Sequence, residues 1–387
     1  MELSYILNEL GEERELYFNA ISPPIAQTSN FAFKTVADLR KAFENEQSSY
    51  LYSRGINPTV DILRKKLAAL DGAEECLVFN SGAAAIFAGV FANIKSGDNI
   101  VSVKAPYSWA QNMFDVILPR FGITTTYIDG TKIENWEQAT ISNTGLYYLE
   151  SPNSWDYALQ PIKEVAILAK SKGITTFIDN SYCTPLYQQP IEMGIDISMQ
   201  TATKYIGGHS DTLGGVLCGT QVMMKKIFES EYLNIGSGIQ PFNAWLLIRG
   251  LRTLKARMDR ISVSTGEVLK FMKQHPKIEA MLFPFDESFP QYDLAKKQMT
   301  GACGLFTFTL KTAKLESIEK FCEALQHIMM AVSWGGHESL VIPKCSGINP
   351  VEFDPKNREH RYIRMYVGLE DPGYLISDLE QALAKID

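Results

Sequence analysis

Apolar and polar positions follow two different rhythms along this chain. Val60, Leu63, Leu67 and Leu70 recur at helical spacing behind Asn57-Pro58, a cap with proline in the first turn, and Asp71-Gly72 ends the run. From Cys76 onward, short apolar runs of strand length alternate with helical patterns. The strand candidates are 76–80, 99–104, 123–129, 145–150, 174–179, 197–202 and 215–219, with helical stretches such as 108–121 and 161–172 between them. This alternation predicts an α/β chain with a largely parallel seven-stranded sheet covered by helices on both faces. A continuous helical pattern covers 242–274. Beyond His275-Pro276 the order changes to a strand at 304–310, a helix at 315–330, a strand at 362–369 and a helix at 373–386, the make-up of a smaller α+β domain. Residues 1–50 show little periodicity, and Ser22-Pro23-Pro24 reads as extended chain, so this arm is expected to lie on another surface. The expected organisation is an arm at 1–50, a large domain at 51–245 and a small domain at 246–387.

Composition narrows the function classes. Of 387 residues, 45% are hydrophobic, and 37 basic against 44 acidic side chains leave a net charge of −7. That balance argues against nucleic acid as the main ligand, because phosphate neutralisation needs clustered Lys and Arg. The longest weakly polar stretch, Gly82 to Ile94, is about 13 residues, well short of the roughly 20 that span a bilayer. The N-terminal segment reads as lacking an ordinary secretory signal. Six scattered cysteines without a C-x-x-C pair suggest free thiols in a reducing compartment rather than disulfides or a metal site. The expectation is a cytoplasmic enzyme.

In an open parallel sheet, ligands sit beyond the carboxyl ends of the strands. Reading past those ends gives Ser81-Gly82-Ala83, Ser151-Pro152-Asn153, Asp179 and Thr203-Lys204. Taken singly, each has a plainer use: close packing at the small-residue turn, a cap for the aspartate, a solvated charge for the lysine. Together they fit a cofactor whose phosphate needs backbone N–H donors, whose ring nitrogen needs a carboxylate and whose aldehyde needs an amine. Pyridoxal 5′-phosphate (PLP) makes all three demands. Neither a triphosphate nor a dinucleotide glycine motif is present.

The strings PPIAQTSNF (23–31), YSRGINPT (52–59), FNSGAAAI (79–86), ESP (150–152), FIDNSYCTP (177–185), TATKYIGGHSD (201–211), FNAWLLIRGLRTL (242–254), SWGGHESL (333–340) and IRMYVGLEDP (363–372) resemble the Cys/Met-metabolism group of PLP enzymes. That group includes cystathionine β- and γ-lyases, cystathionine γ-synthase and methionine γ-lyase. The resemblance implies the PLP-dependent transferase fold type I and assigns roles. Lys204 would take the cofactor aldehyde, and Asp179 would pair with the pyridine nitrogen. Gly82 and Ala83 would offer N–H groups to the phosphate, with hydroxyls from Thr201 and Thr203. Tyr107 would stack on the ring within the catalytic group. Arg364 would hold the substrate carboxylate, with Ser333 and Trp334 beside it. Tyr52 and Arg54 would reach the phosphate of a neighbouring subunit, implying shared sites in a homotetramer.

Three departures from the γ-acting pattern point within the family. Ser154 stands where E-S-P-T-N-P has asparagine, Ala83 where S-G-M has methionine, and Trp334 where S-L-G-G has leucine. All three resemble the bacterial cystathionine β-lyase branch. The resulting expectation is β-elimination of cystathionine to homocysteine, pyruvate and ammonia. The alternatives are a γ-acting relative and, more remotely, a non-catalytic binding protein on the same fold.

Overall fold

The computed structural model describes residues 1–386. Among these described residues, twelve strands divide between two sheets. In the first, β1 (Glu75–Phe79), β2 (Asn99–Val103), β3 (Thr124–Ile128), β4 (Thr144–Glu150), β5 (Thr175–Asp179), β6 (Ile197–Thr201) and β7 (Gly215–Gly219) lie in the order β1-β7-β6-β5-β4-β2-β3. The contacts from β3 through β6 are parallel, whereas β7 runs antiparallel to both its neighbours. The sheet is buried on both faces, as expected where helices cover both sides of apolar strands.

The second sheet contains β8 (Ile278–Leu282), β9 (Leu305–Leu310), β10 (Met329–Met330), β11 (Leu340–Pro343) and β12 (Ile363–Tyr366), ordered β10-β11-β12-β9-β8. The structure therefore has the α/β architecture of a seven-stranded, mostly parallel sheet with a smaller mixed sheet. Two helical expectations need correction. The run at 242–274 is two helices, Pro241–Arg252 and Leu254–Gln274, separated at Thr253. The helix at 315–330 ends at Ala324, because Asp378 accepts the backbone N–H groups of Gln326, His327 and Ile328 and draws the chain out toward β10. Among the described residues, no helix is long and apolar enough to cross a membrane.

The first helix, Leu3–Asn8, buries Ile6 and Leu7 against the chain's own core. Much of the stretch from Asn19 to Tyr50 is exposed. The fully buried Lys66 amine donates to the carbonyls of Ile6 and Leu7 and lies 3.1 Å from Glu12. Burial lowers the Lys66 pKa, and Glu12 opposes that shift. Glu12 also accepts Arg252 at 3.0 Å, tying the N-terminal segment to the end of helix 241–252.

Glu12→Ala leaves the Lys66 cation buried without its anion. The expected loss is about 3–5 kcal/mol of folding stability, the usual cost of breaking a buried ion pair from one side. Urea denaturation measures it, and an unchanged midpoint would show that the Lys66 amine does not need Glu12.

Candidate active site

Strand register assembles the site. At the carboxyl end of the sheet, Glu150 pairs with Asp179, Asp179 with Met199, Thr201 with Gly215, and Gly215 with Phe79. Beyond Phe79 the chain turns into helix Gly82–Phe91, whose N-cap Ser81 accepts the N–H of Ala84. Ser81 O accepts the N–H of Ala85. The N–H groups of Gly82 and Ala83 carry no intramolecular bond among the described residues, which leaves two donors at the positive end of a ten-residue helix. A Cβ on Gly82 would lie 2.9 Å from the Thr201 Cβ. Glycine thus lets β6 approach the turn, and Thr201 and Thr203 flank it with their hydroxyls on Gly214 O.

Asp179 is buried, and its Oδ1 accepts the Ser181 N–H at 2.9 Å. Burial raises its pKa, opposed by the bond from Ser181 and the Lys204 charge. It forms no ion pair among the described residues, so a pyridinium N–H would supply a missing cation. Lys204 donates to Ser333 Oγ at 2.6 Å. Burial and then Arg364 push the Lys204 amine down to about 8, against the pull of Asp179. Near neutral pH about a tenth of such an amine is unprotonated, far more than for an exposed lysine, and attack on an aldehyde requires that form.

The segment carrying Ser333 and Trp334 lies on the Lys204 backbone. Gly335 has φ of +87°, and a Cβ there would sit 2.8 Å from Lys204 Cα. Ser333 itself has φ of +83°, sterically costly for a residue with a Cβ. The Trp334 ring lies 5.4 Å from the Lys204 amine and packs edge-on against Tyr205. Arg364, on β12, has no ion-pair or hydrogen-bond partner among the described residues. Burial lowers its pKa, and it is a free cation available to an anionic ligand. The donor pair at Gly82-Ala83, the carboxylate without a cation, the lowered lysine and the arginine without an anion fit PLP together with an amino acid.

Glu150 adds to this group and was not among the expected site residues, although E-S-P at a strand end signalled it. It accepts the backbone N–H of Tyr107 at 2.6 Å and of Ser154 at 2.7 Å, so one buried carboxylate holds both loops. Burial and then Asp179 raise its pKa. Burial, Asp179 and Glu150 also raise that of Tyr107, keeping the phenol protonated. Tyr52 and Arg54 are not brought to Lys204 within the chain. They are exposed, with Arg54 5.3 Å over the Tyr52 ring, beside a cleft of about 350 Å³ that reaches Gly236 and Pro241.

In cofactor-free protein, acylation of Lys204 followed by peptide mass spectrometry should titrate near pH 8. Exposed lysines should titrate near about 10.4. A Lys204 midpoint as high as theirs would contradict the burial that lowers its pKa.

Comparison with known proteins extends this geometry. A family model described as Cys/Met metabolism PLP-dependent enzyme matches residues 6–384. An L-methionine gamma-lyase from Treponema denticola is 34% identical over 376 residues, covering 95% of this chain and 94% of that protein. One from Porphyromonas gingivalis is 35% identical over 379 residues, covering 96% and 95%. An O-succinylhomoserine sulfhydrylase from Pseudomonas aeruginosa is 32% identical over 364 residues, covering 93% and 90%. With both sheets and the Lys204 region inside one continuous match, this protein belongs to the Cys/Met-metabolism family of PLP-dependent enzymes.

Proposed function

We propose that this protein is a carbon–sulfur lyase of sulfur amino acids that cleaves at Cγ, releasing a thiol, 2-oxobutyrate and ammonia. The observation that carries the lyase reading is the convergence of Lys204 and Asp179, at the carboxyl end of the large sheet, with Arg364 from the small one. The γ position is supported by similarity to methionine gamma-lyases and O-succinylhomoserine sulfhydrylases along nearly the whole chain. Those relatives favour γ chemistry over the β-elimination expected from the sequence motifs.

When bound, PLP supplies an electron sink conjugated to the substrate Cα. Gly82, Ala83, Thr201 and Thr203 would hold its phosphate, Asp179 its ring nitrogen and Tyr107 its ring face. Arg364 would orient the substrate carboxylate, with Ser333 alongside. The amine of Lys204 would take the Cα proton, acting as a base with a lowered pKa. For γ cleavage a proton must also leave Cβ, and the same amine would take it. The protonated Tyr107 phenol is a proton source for the leaving sulfur. Water enters as the remaining carbon skeleton becomes 2-oxobutyrate and ammonia. Tyr52 and Arg54, exposed here, would complete the phosphate site of a neighbouring subunit in a tetramer.

Cystathionine β-elimination stands as the second reading because of Ser154, Ala83 and Trp334. The indole beside the Lys204 amine narrows the space through which that amine can move. Keto-acid analysis of holoenzyme incubated with L-methionine and L-cystathionine separates the two. The expected product is 2-oxobutyrate from both; pyruvate from cystathionine with no turnover of methionine would transfer the assignment to the β reading. Formation of a new thioether from O-succinylhomoserine and a thiol, without keto acid, would refute the lyase assignment. Lys204→Ala should abolish turnover and the visible band of the cofactor–lysine linkage. Retained turnover would remove Lys204 from the chemistry.

A further inference from the structure

Trp155 stands where the E-S-P-T-N-P pattern has proline, and its backbone adopts a conformation closed to proline. Its φ is +70°, whereas the proline ring holds φ near about −65°. A left-handed backbone is a true outlier for so bulky a residue, and Tyr157, two positions on, shares it at +58°. The surrounding loop enforces both. Asn153 donates its N–H to Ala158 O at 3.0 Å and accepts that of Tyr157 at 3.1 Å, while the Asp156 carboxylate accepts the Ala158 N–H. Glu150 holds the loop's start through the Ser154 N–H, and Gln291 makes two hydrogen bonds to Leu159 at its exit.

This loop leaves the large sheet and turns its indole toward the small one. The Arg364 guanidinium carbon lies 4.9 Å from the Trp155 ring centroid, and the Lys344 amine lies 5.6 Å from it. Lys344 has its own carboxylate, Glu359 at 2.8 Å; Arg364 has none among the described residues. A planar guanidinium on an aromatic face is oriented as well as attracted, and its N–H donors remain available at the edge. A carboxylate in the indole's place would instead occupy the fork and neutralise it.

From this contact we propose that Trp155 is a positioning residue for the substrate carboxylate: its indole fixes the Arg364 guanidinium by face stacking and leaves the donor fork free. The inference rests on the proposed function only in taking Arg364 as the carboxylate's partner, and it is the same for β and γ cleavage. It adds selection for ligands that carry a free α-carboxylate.

The test uses holoenzyme and two probes without a leaving group, L-alanine and L-alaninamide, with the cofactor's visible absorbance as the binding readout. Trp155→Leu keeps apolar bulk but has no ring face, and should weaken L-alanine about tenfold, the factor expected from a partly desolvated cation–π contact. L-Alaninamide, lacking the carboxylate, should change by less than about twofold, and Trp155→Phe should restore most of the L-alanine affinity through its own ring face. In an Arg364→Ala background, Trp155→Leu should have no further effect on either probe, as residues acting through one contact require. Equal weakening of both probes would mark a merely structural role and overturn the inference, as would unchanged L-alanine binding or a Phe variant as weak as Leu. Binding of L-alanine by wild-type protein with no preference over the amide would overturn Arg364's role as well. Absence of any response to either probe in cofactor-loaded wild type would instead count against the proposed function.

Discussion

Keeping the Lys204 amine and the Arg364 guanidinium near one another and largely withdrawn from water is the constraint on which the site depends. Two like charges oppose each other there, and burial penalises both. The lysine yields, because an ammonium can lose its proton and a guanidinium effectively cannot. Asp179 limits that retreat without reversing it. An amine that is partly neutral and a cation that stays charged are thus produced side by side. The first suits carbonyl and proton chemistry; the second suits anion docking. If water filled the same volume, the amine would return to its protonated form and the pull of the guanidinium on an anion would be screened.

The strand ends make this arrangement possible. Glu150 and Asp179 are direct neighbours in the parallel ladder, so two carboxylates are buried at one level of the sheet. Their mutual repulsion would be costly if both were bare. Glu150 is served by the N–H groups of Tyr107 and Ser154, whereas Asp179 receives one from Ser181. The better-satisfied carboxylate positions loops, and the less-satisfied one remains able to receive a cofactor's N–H. This division of labour comes from hydrogen bonding rather than from residue type.

The strands of the large sheet were legible to within a residue or two because their apolar runs are long and punctuated by turns. Lys204, Asp179 and Gly82 followed from position at those strand ends. Shorter elements were not legible. Met329–Met330 is held out of the preceding helix by a distant aspartate, and Ile278–Leu282 shows no clean alternation. The break at Thr253 interrupts a pattern whose apolar spacing continues across it. At the site, no local propensity forecasts left-handed backbone at Ser333 or Trp155. Both are imposed by tertiary contacts, one by the approach to Lys204 and the other by a loop bonded at each end.

In the proposed mechanism, the choice between breaking a bond at Cβ and at Cγ lies beyond the groups that would handle Cα, because those would serve either outcome. Lys204, Asp179 and Arg364 therefore carry little information about regiochemistry. What would differ, on that proposal, is whether the lysine amine can move from Cα to Cβ during one turnover. Two contacts bear on that movement: the hydrogen bond to Ser333 and the indole of Trp334. Trp334 is braced by Tyr205, whose hydroxyl is itself engaged by the Gly304 N–H, so the wall is stiff. A stiff wall can guide the amine along its path or bar it from the next carbon, depending on which side of the arc it occupies. Of the three motifs that resemble β-acting enzymes, Trp334 is thus the one placed against the Lys204 amine itself, and there they meet the overall similarity to γ-acting relatives.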